Sequence, residues 1–173
     1  MLLIILPVLF SGIVFILFLK VFPRLLIYPL DFGLRIHGKR LFGENKTIRG
    51  PLFMSVFTGA FGLIISLFIV QEASVSIFFS YLIIGLLYSF GELPNSFIKR
   101  QLGIPSGMQS IQPIIKGVFL FLDTFDSLIF CGIGYITIFN FPYGIVVASV
   151  LLGGLLHLAT DILMMNLNLK YSS

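Results

Sequence analysis

Charge is scarce in this chain, and acidic charge most of all. Only 7 of the 173 residues are Asp or Glu and 10% are charged of any kind. So little charge excludes an ordinary soluble domain of this size, and with it any reading that needs a large polar surface. Cysteine is nearly absent too. The single Cys131 cannot form an internal disulfide, says nothing of redox compartment, and reads as a small buried apolar residue. The segments between hydrophobic runs are short, which leaves no room for a separate soluble domain. No Ser-His-Asp arrangement stands out, so covalent catalysis by a nucleophilic side chain has no candidate. Nothing in the pattern points to a nucleic acid partner.

What is present in abundance is apolar. Hydrophobic residues make up 58% of the chain, 20 of them Phe, and the mean hydropathy is +1.09. A membrane-crossing helix needs about 20 apolar residues, and five stretches meet that length: Leu2 to Phe22, Pro51 to Val70, Ala73 to Phe90, Gly117 to Phe139 and Tyr143 to Met165. The first lacks the basic start and the small-residue cleavage pattern of a secretory signal, so it counts as a span. Pro7 is expected to kink it, whereas Pro51 suits a first helical turn. The expected fold is an all-α integral membrane protein of five transmembrane helices, forming a single domain over 1–173 with loops at 23–50 and 91–116.

Orientation follows from the basic residues. Lys20, Arg24, Arg35, Lys39, Arg40, Lys46 and Arg49 flank or fill the first loop, Lys99, Arg100 and Lys116 the second, and Lys170 lies in the tail, which accounts for all 11 Lys and Arg. Five spans put these regions on one side, and the positive-inside rule makes that side the cytoplasm. The amino terminus is then outside and the carboxyl terminus cytoplasmic. The outer turns, near Gln71-Glu72 and Asn140-Phe-Pro142, carry no chemistry, so the active face is expected to be the cytoplasmic side of the cell membrane.

Two carboxylates break the fourth apolar stretch. Asp123 and Asp126 lie i, i+3 and share a helix face. A carboxylate in hydrocarbon costs several kcal/mol and usually faces a bundle interior or a polar cavity. Two such charges repel unless one is protonated or a cation sits between them, which makes a metal the first hypothesis. Glu92, at the border of the second loop, is followed two turns later by Lys99 and Arg100, a pattern that suits a metal-bound phosphate as well as an interfacial ion pair.

The first loop interleaves glycine with Lys and Arg from Gly33 to Gly50. Glycine lets backbone approach a ligand and Lys or Arg neutralises phosphate oxygens, so the loop suits a polyphosphate; attraction to anionic head groups, about 1 kcal/mol per basic residue, explains it equally well. Gly33 to Lys39 matches G-x-x-x-x-G-K, but Arg40 replaces the Ser or Thr of a phosphate-binding loop and no buried strand precedes it. Asn45-Lys46-Thr47 fits a glycosylation sequon that the expected topology keeps in the cytoplasm. His37 is a lone loop histidine. His157 and Asp161, i and i+4 on the last helix, are expected to form a structural hydrogen-bonded pair.

Three runs in order, Gly38-Lys-Arg-Leu-Phe-Gly-Glu-Asn-Lys-Thr-Ile-Arg-Gly50, Gly91-Glu-Leu-Pro-Asn-Ser-Phe-Ile-Lys-Arg-Gln-Leu-Gly103 and Leu122-Asp-Thr-Phe-Asp-Ser-Leu128, closely resemble the CDP-archaeol synthase family. That family is a branch of the CTP-dependent phosphatidate cytidylyltransferase superfamily, and the resemblance covers most of the chain, through the His157 helix and the Leu167-Asn-Leu-Lys170 tail. Glu92 stands where the family usually has Asp, Ile48 where it commonly has Trp, and Thr124 where it commonly has Gln.

The resemblance implies a small Mg²⁺-dependent enzyme that joins CTP to a lipid phosphate, phosphatidic acid or an archaeal ether-lipid analogue, within a lipid membrane. Its metal ligands would be Asp123, Asp126 and Glu92. The phosphate clamps would be Lys46, Arg49, Lys99 and Arg100, with Asn45 and Thr47 adding hydrogen bonds to the nucleotide. A transporter or scramblase of anionic lipids would use the same features, although no internal repeat supports one. A CTP-dependent polyprenol kinase would instead transfer the γ-phosphoryl group. A CDP-alcohol phosphotransferase would need a longer Asp-rich helical motif.

Overall fold

A computed structural model describes residues 1–108, 110 and 112–166, with side chains at all of these except 161 and 164–166. Among them are five helices, α1 (Leu2–Val21), α2 (Arg49–Val70), α3 (Val75–Gln101), α4 (Pro113–Phe139) and α5 (Tyr143–Asn166). Four, α1, α2, α3 and α5, are long and apolar enough to cross a membrane. α4 has 27 residues and carries Asp123 and Asp126. Helices satisfy every backbone group within the segment, which is why apolar sequence of this length takes no other form in hydrocarbon.

α3 lies between α2 and α4, and glycine lets it approach both. A β-carbon on Gly85 would stand 2.6 Å from the Met54 carbonyl oxygen on α2, and one on Gly91 would stand 2.8 Å from Ser127 Cα on α4. The tightest core gathers Ile4, Val8, Tyr81, Ile84, Cys131, Tyr135 and Val146 from α1, α3, α4 and α5. Pro7 lies inside α1 without ending it. Proline has no N–H to give the carbonyl four residues earlier, and that carbonyl, on Leu3, accepts instead from the Tyr81 hydroxyl at 2.9 Å. The next one, on Ile4, accepts from Tyr135 at 3.1 Å.

Two departures from the sequence reading affect the site. Residues 91–101, expected to open the second loop, are the last turns of α3, with Pro94 inside the helix. The reason is tertiary: Asn95 and Lys99, one turn apart, face α4 and bond to Asp123 there, so the polar stripe is tied to a neighbouring helix rather than released as loop. The first loop is not irregular. It contains a two-stranded hairpin, β1 (Arg35–Ile36) and β2 (Lys39–Arg40), turned by His37 at φ 50° and Gly38 at φ 78°. Positive φ at both turn positions is the geometry of a tight hairpin, and it gives His37 a purely conformational place.

Candidate functional site

A cavity of about 870 Å³ opens where the first loop meets the loop-side ends of the helices. Its apolar wall includes Ile4, Val8, Ile13 and Ile16 of α1 and Val150 of α5. Its polar end holds Asn45, Lys46, Thr47, Arg49, Glu92, Asp123, Asp126 and His157. Seven of these come from the residues expected to act on nucleotide or metal; two such residues, Lys99 and Arg100, are not in the cavity wall.

Lys46 reaches across from the loop and pairs with Glu92 on α3. Arg49, in the first turn of α2, donates to the Pro23 carbonyl at 3.0 Å. Asp123 is gripped from α3, accepting from Asn95 Nδ2 at 2.6 Å and from Lys99 Nζ at 2.6 and 2.5 Å. Lys99 also lies 5.2 Å from the centre of the Phe119 ring, in a small adjoining pocket that shares Asp123 and includes Lys116. Arg100 turns the other way: its guanidinium donates to the Ile104 carbonyl and packs beside Gly43, whose φ is +93°. Arg100, expected as a phosphate clamp, therefore lies outside the cavity wall, beside both loops. Gly107 meets Asn45 at the same junction.

Asp126 is the carboxylate left without a cation. Its Oδ1 accepts from the Ser127 amide at 2.6 Å and the Ser127 hydroxyl at 3.1 Å, and among the described residues no Lys, Arg or His forms an ion pair with it. The Glu92 and Asp123 carboxylates both act on it as like charges. Among the described residues, no three His, Cys, Asp or Glu side chains are grouped closely enough to form a metal cage. Mg²⁺ seldom asks for one, being held by one or two carboxylates together with substrate phosphates and water. An unpaired carboxylate flanked by two others, all hard oxygen donors, fits such an ion. Thr124, also in the wall, turns its hydroxyl back to Leu120 O at 2.8 Å.

The Tyr88 hydroxyl lies 3.4 Å from His157 Nε2. The expected partner Asp161 has a side chain outside the described residues, as do residues 167–170 of the tail. Two contributors were missed from sequence. Asn95 had a readable signal, because Glu92, Asn95, Ser96 and Lys99 recur at helical spacing. Asp31 had none.

Asp31 is fully buried at 0% side-chain exposure in the first loop. It accepts from Arg40 at 2.7 Å and from the amides of Gly33 at 3.0 Å and of Phe42 and Gly43 at 3.3 Å. Burial pushes its carboxyl up, but the Arg40 hydrogen bond and the three amides together outweigh this and hold it at about 2, below the ordinary 3.8.

A profile of the CarS-like family, CDP-archaeol synthase, matches residues 3–172. Among curated proteins, CDP-archaeol synthase of Saccharolobus islandicus is 39% identical over 80 residues, 46% of each chain, so that match spans about half the length of the curated relative. The enzyme of the same name from Pyrobaculum aerophilum is 28% identical over 144 residues, 83% of this chain and 80% of the other. A solved structure, described as an intramembrane enzyme for archaeal membrane lipids biosynthesis, has the same fold at a TM-score of 0.64 and 23% identity, covering 93% of this chain and 92% of that one. With its three motifs gathered around one cavity and the family profile matched almost end to end, the chain belongs to the CDP-archaeol synthase family.

Proposed function

We propose that the protein is a CTP:lipid-phosphate cytidylyltransferase of the cell membrane. It spans that membrane five times, with the amino terminus outside and the cavity opening to the cytoplasm. The observation that carries this reading is the cavity itself, where basic loop residues, three carboxylates and a long apolar wall line one space. A triphosphate needs the first, a cation the second, and lipid tails the third.

In the proposed reaction an oxygen of the lipid phosphate attacks the α-phosphorus of CTP. The bond from that phosphorus to the bridging oxygen breaks, and pyrophosphate leaves with the electron pair. Both reactants are anionic, so catalysis is chiefly positioning and charge neutralisation. Lys46 and Arg49 contact the triphosphate, while Asn45 and Thr47 add neutral hydrogen bonds. Asp126, with Asp123 and Glu92, would hold Mg²⁺, which supplies charge neutralisation on the phosphate oxygens when bound. Lys99 orients Asp123, and Arg100 keeps the two loops together.

The test is product analysis. Purified protein is incubated with labelled CTP, Mg²⁺ and a panel of lipid phosphates, including phosphatidic acid and an archaeal ether analogue, and in parallel with a free polyprenol, and the products are read by mass spectrometry. CDP-lipid with pyrophosphate supports the proposal. CDP with a newly phosphorylated polyprenol, or no nucleotide chemistry at all, overturns it in favour of a kinase or a lipid transporter.

A further inference from the structure

We propose that Asp31 is a positioning residue for the nucleotide loop: its carboxylate ties the two sides of the β1–β2 hairpin together and thereby fixes where Lys46 and Thr47 stand in the cavity. The inference rests on the proposed contact between Lys46 and the triphosphate.

Asp31 does not line the cavity, so any effect on substrate must pass through its neighbours. A buried carboxylate is costly unless its charge is paired and its lone pairs are filled. Here both conditions hold. One oxygen receives the Arg40 guanidinium from β2 and the Gly33 amide before the hairpin; the other receives the Phe42 and Gly43 amides after it. The chain that leaves at residue 33 is thus returned to residue 31 at residue 43. Arg40 spends its second arm on Glu44 at 3.0 Å, extending the same network one residue further.

From that knot Lys46 is held on two sides. Its amide donates to the Gly43 carbonyl at 3.4 Å, and its own carbonyl accepts from Leu30, the neighbour of Asp31, at 2.8 Å. Pro29 and Thr47 form an antiparallel bridge beside it, and the Ile48 amide donates to Tyr28 O at 3.0 Å. Both supports of Lys46 therefore converge on Asp31. A lysine side chain is long and flexible, so the place of its backbone decides which atoms its ammonium reaches. A displacement of about 1 Å in such a contact costs roughly 100-fold.

The experiment compares parent, Asp31→Asn, Lys46→Met and the double variant in full-length protein. Asparagine keeps the volume but loses the charge paired with Arg40, and it sets an amide NH₂ donor facing a backbone N–H that now donates to an Asp31 oxygen. The expected result for Asp31→Asn is a CTP KM raised about tenfold, with kcat and the lipid-phosphate KM within about threefold of the parent. Amide exchange across residues 29–48 should quicken by about tenfold or more while the cores of α2 to α4 keep their protection. In the double variant, Asp31→Asn should add nothing to the CTP KM of Lys46→Met, because both changes remove one contact.

A merely stabilising Asp31 would give additive effects and touch both substrates, and that outcome overturns the inference. An unchanged CTP KM in Asp31→Asn, beside a raised one in Lys46→Met, overturns it as well. Where Lys46→Met itself leaves the CTP KM unchanged, the phosphate contact fails separately; accelerated exchange at residues 43–48 then still supports the knot, and unaltered exchange overturns it. Arg40→Gln, a milder break of the same pair, serves if Asp31→Asn does not fold, and should move the CTP KM in the same direction by a smaller factor.

Discussion

Substituting Gly91 tests whether the α3–α4 contact governs the site. Its β-carbon would lie 2.8 Å from Ser127 Cα, 3.1 Å from the Asp126 carbonyl oxygen and 3.1 Å from Phe130 Cβ. Two of those atoms are backbone, so the crowding can be relieved only by moving one helix from the other. An ordinary contact needs about 3.4 Å, which leaves a shortfall of roughly 0.6 Å against Ser127 Cα. Gly91→Ala gains about 1 kcal/mol of helix propensity and loses about 1 to 3 kcal/mol to overpacking. The net is a destabilisation of about 0 to 2 kcal/mol, or a few degrees in melting temperature. Activity should suffer more than stability, because the displaced helices carry Glu92 and Asp126 on either side of the contact. Taking about 100-fold per Å, a shift near half an ångström lowers CDP-lipid synthesis by about tenfold. Gly117→Ala is the control, since a β-carbon there meets nothing within 4 Å; it should leave turnover unchanged and melting equal or slightly higher. Both variants are assayed for CDP-lipid formation and thermal unfolding in the same detergent. Parental turnover in Gly91→Ala, or equal damage in Gly117→Ala, would refute the reasoning.

Three further outcomes follow from the same geometry. Asp126→Asn should lower turnover by about 100-fold or more while the protein stays folded, and the rise in melting temperature that Mg²⁺ with CTP gives the parent should be lost in the variant; a retained rise removes Asp126 from the cation site. The Asp31 carboxyl, at about 2 in the fold against 3.8 unperturbed, gives the first loop about 2 kcal/mol that is fully present above pH about 4 and lost as pH falls toward 2. Amide exchange of residues 29–48 should record that loss in the parent and not in Asp31→Asn, and a flat parental profile from pH 5 to 2 would contradict it. Cysteines placed at Lys46 and Gln101 should react with impermeant thiol reagents only from the cytoplasmic side, and one at Glu72 only from outside, the reverse pattern inverting the proposed topology.

Composition and apolar run length were enough to determine a bundle of five long helices among the described residues, because unbroken apolar runs of about 20 residues suit helices and not the short alternating strands of a barrel. They placed α1, α2, α4 and α5 within a few residues of where they lie. The motifs, read as a resemblance, also determined the family and singled out Lys46, Arg49, Glu92, Asp123 and Asp126, which share one cavity wall. The length of α3 was decided elsewhere. Nothing local at Gly91-Glu92-Leu-Pro94 requires helix, and the helix persists because Asn95 and Lys99 find Asp123 on another element. Arg100 shows the same limit from the other side: next in sequence to Lys99, it points about 100° around the helix and meets the Ile104 carbonyl instead of the cavity. Sequence spacing sets which residues share a face, but not which neighbour that face meets.

Asp31 lies furthest from what a sequence reveals. It is one acid in a loop of mixed charge, and its weight comes from burial and from partners at positions 33, 40, 42 and 43 that only the folded hairpin brings within reach. Which of the two carboxylates is paired with a basic side chain, among the described residues, was likewise decided in three dimensions. Asp123 and Asp126 look alike on paper; α3 supplies Lys99 and Asn95 to the first, whereas the α3 side chain that acts on the second is the like-charged Glu92.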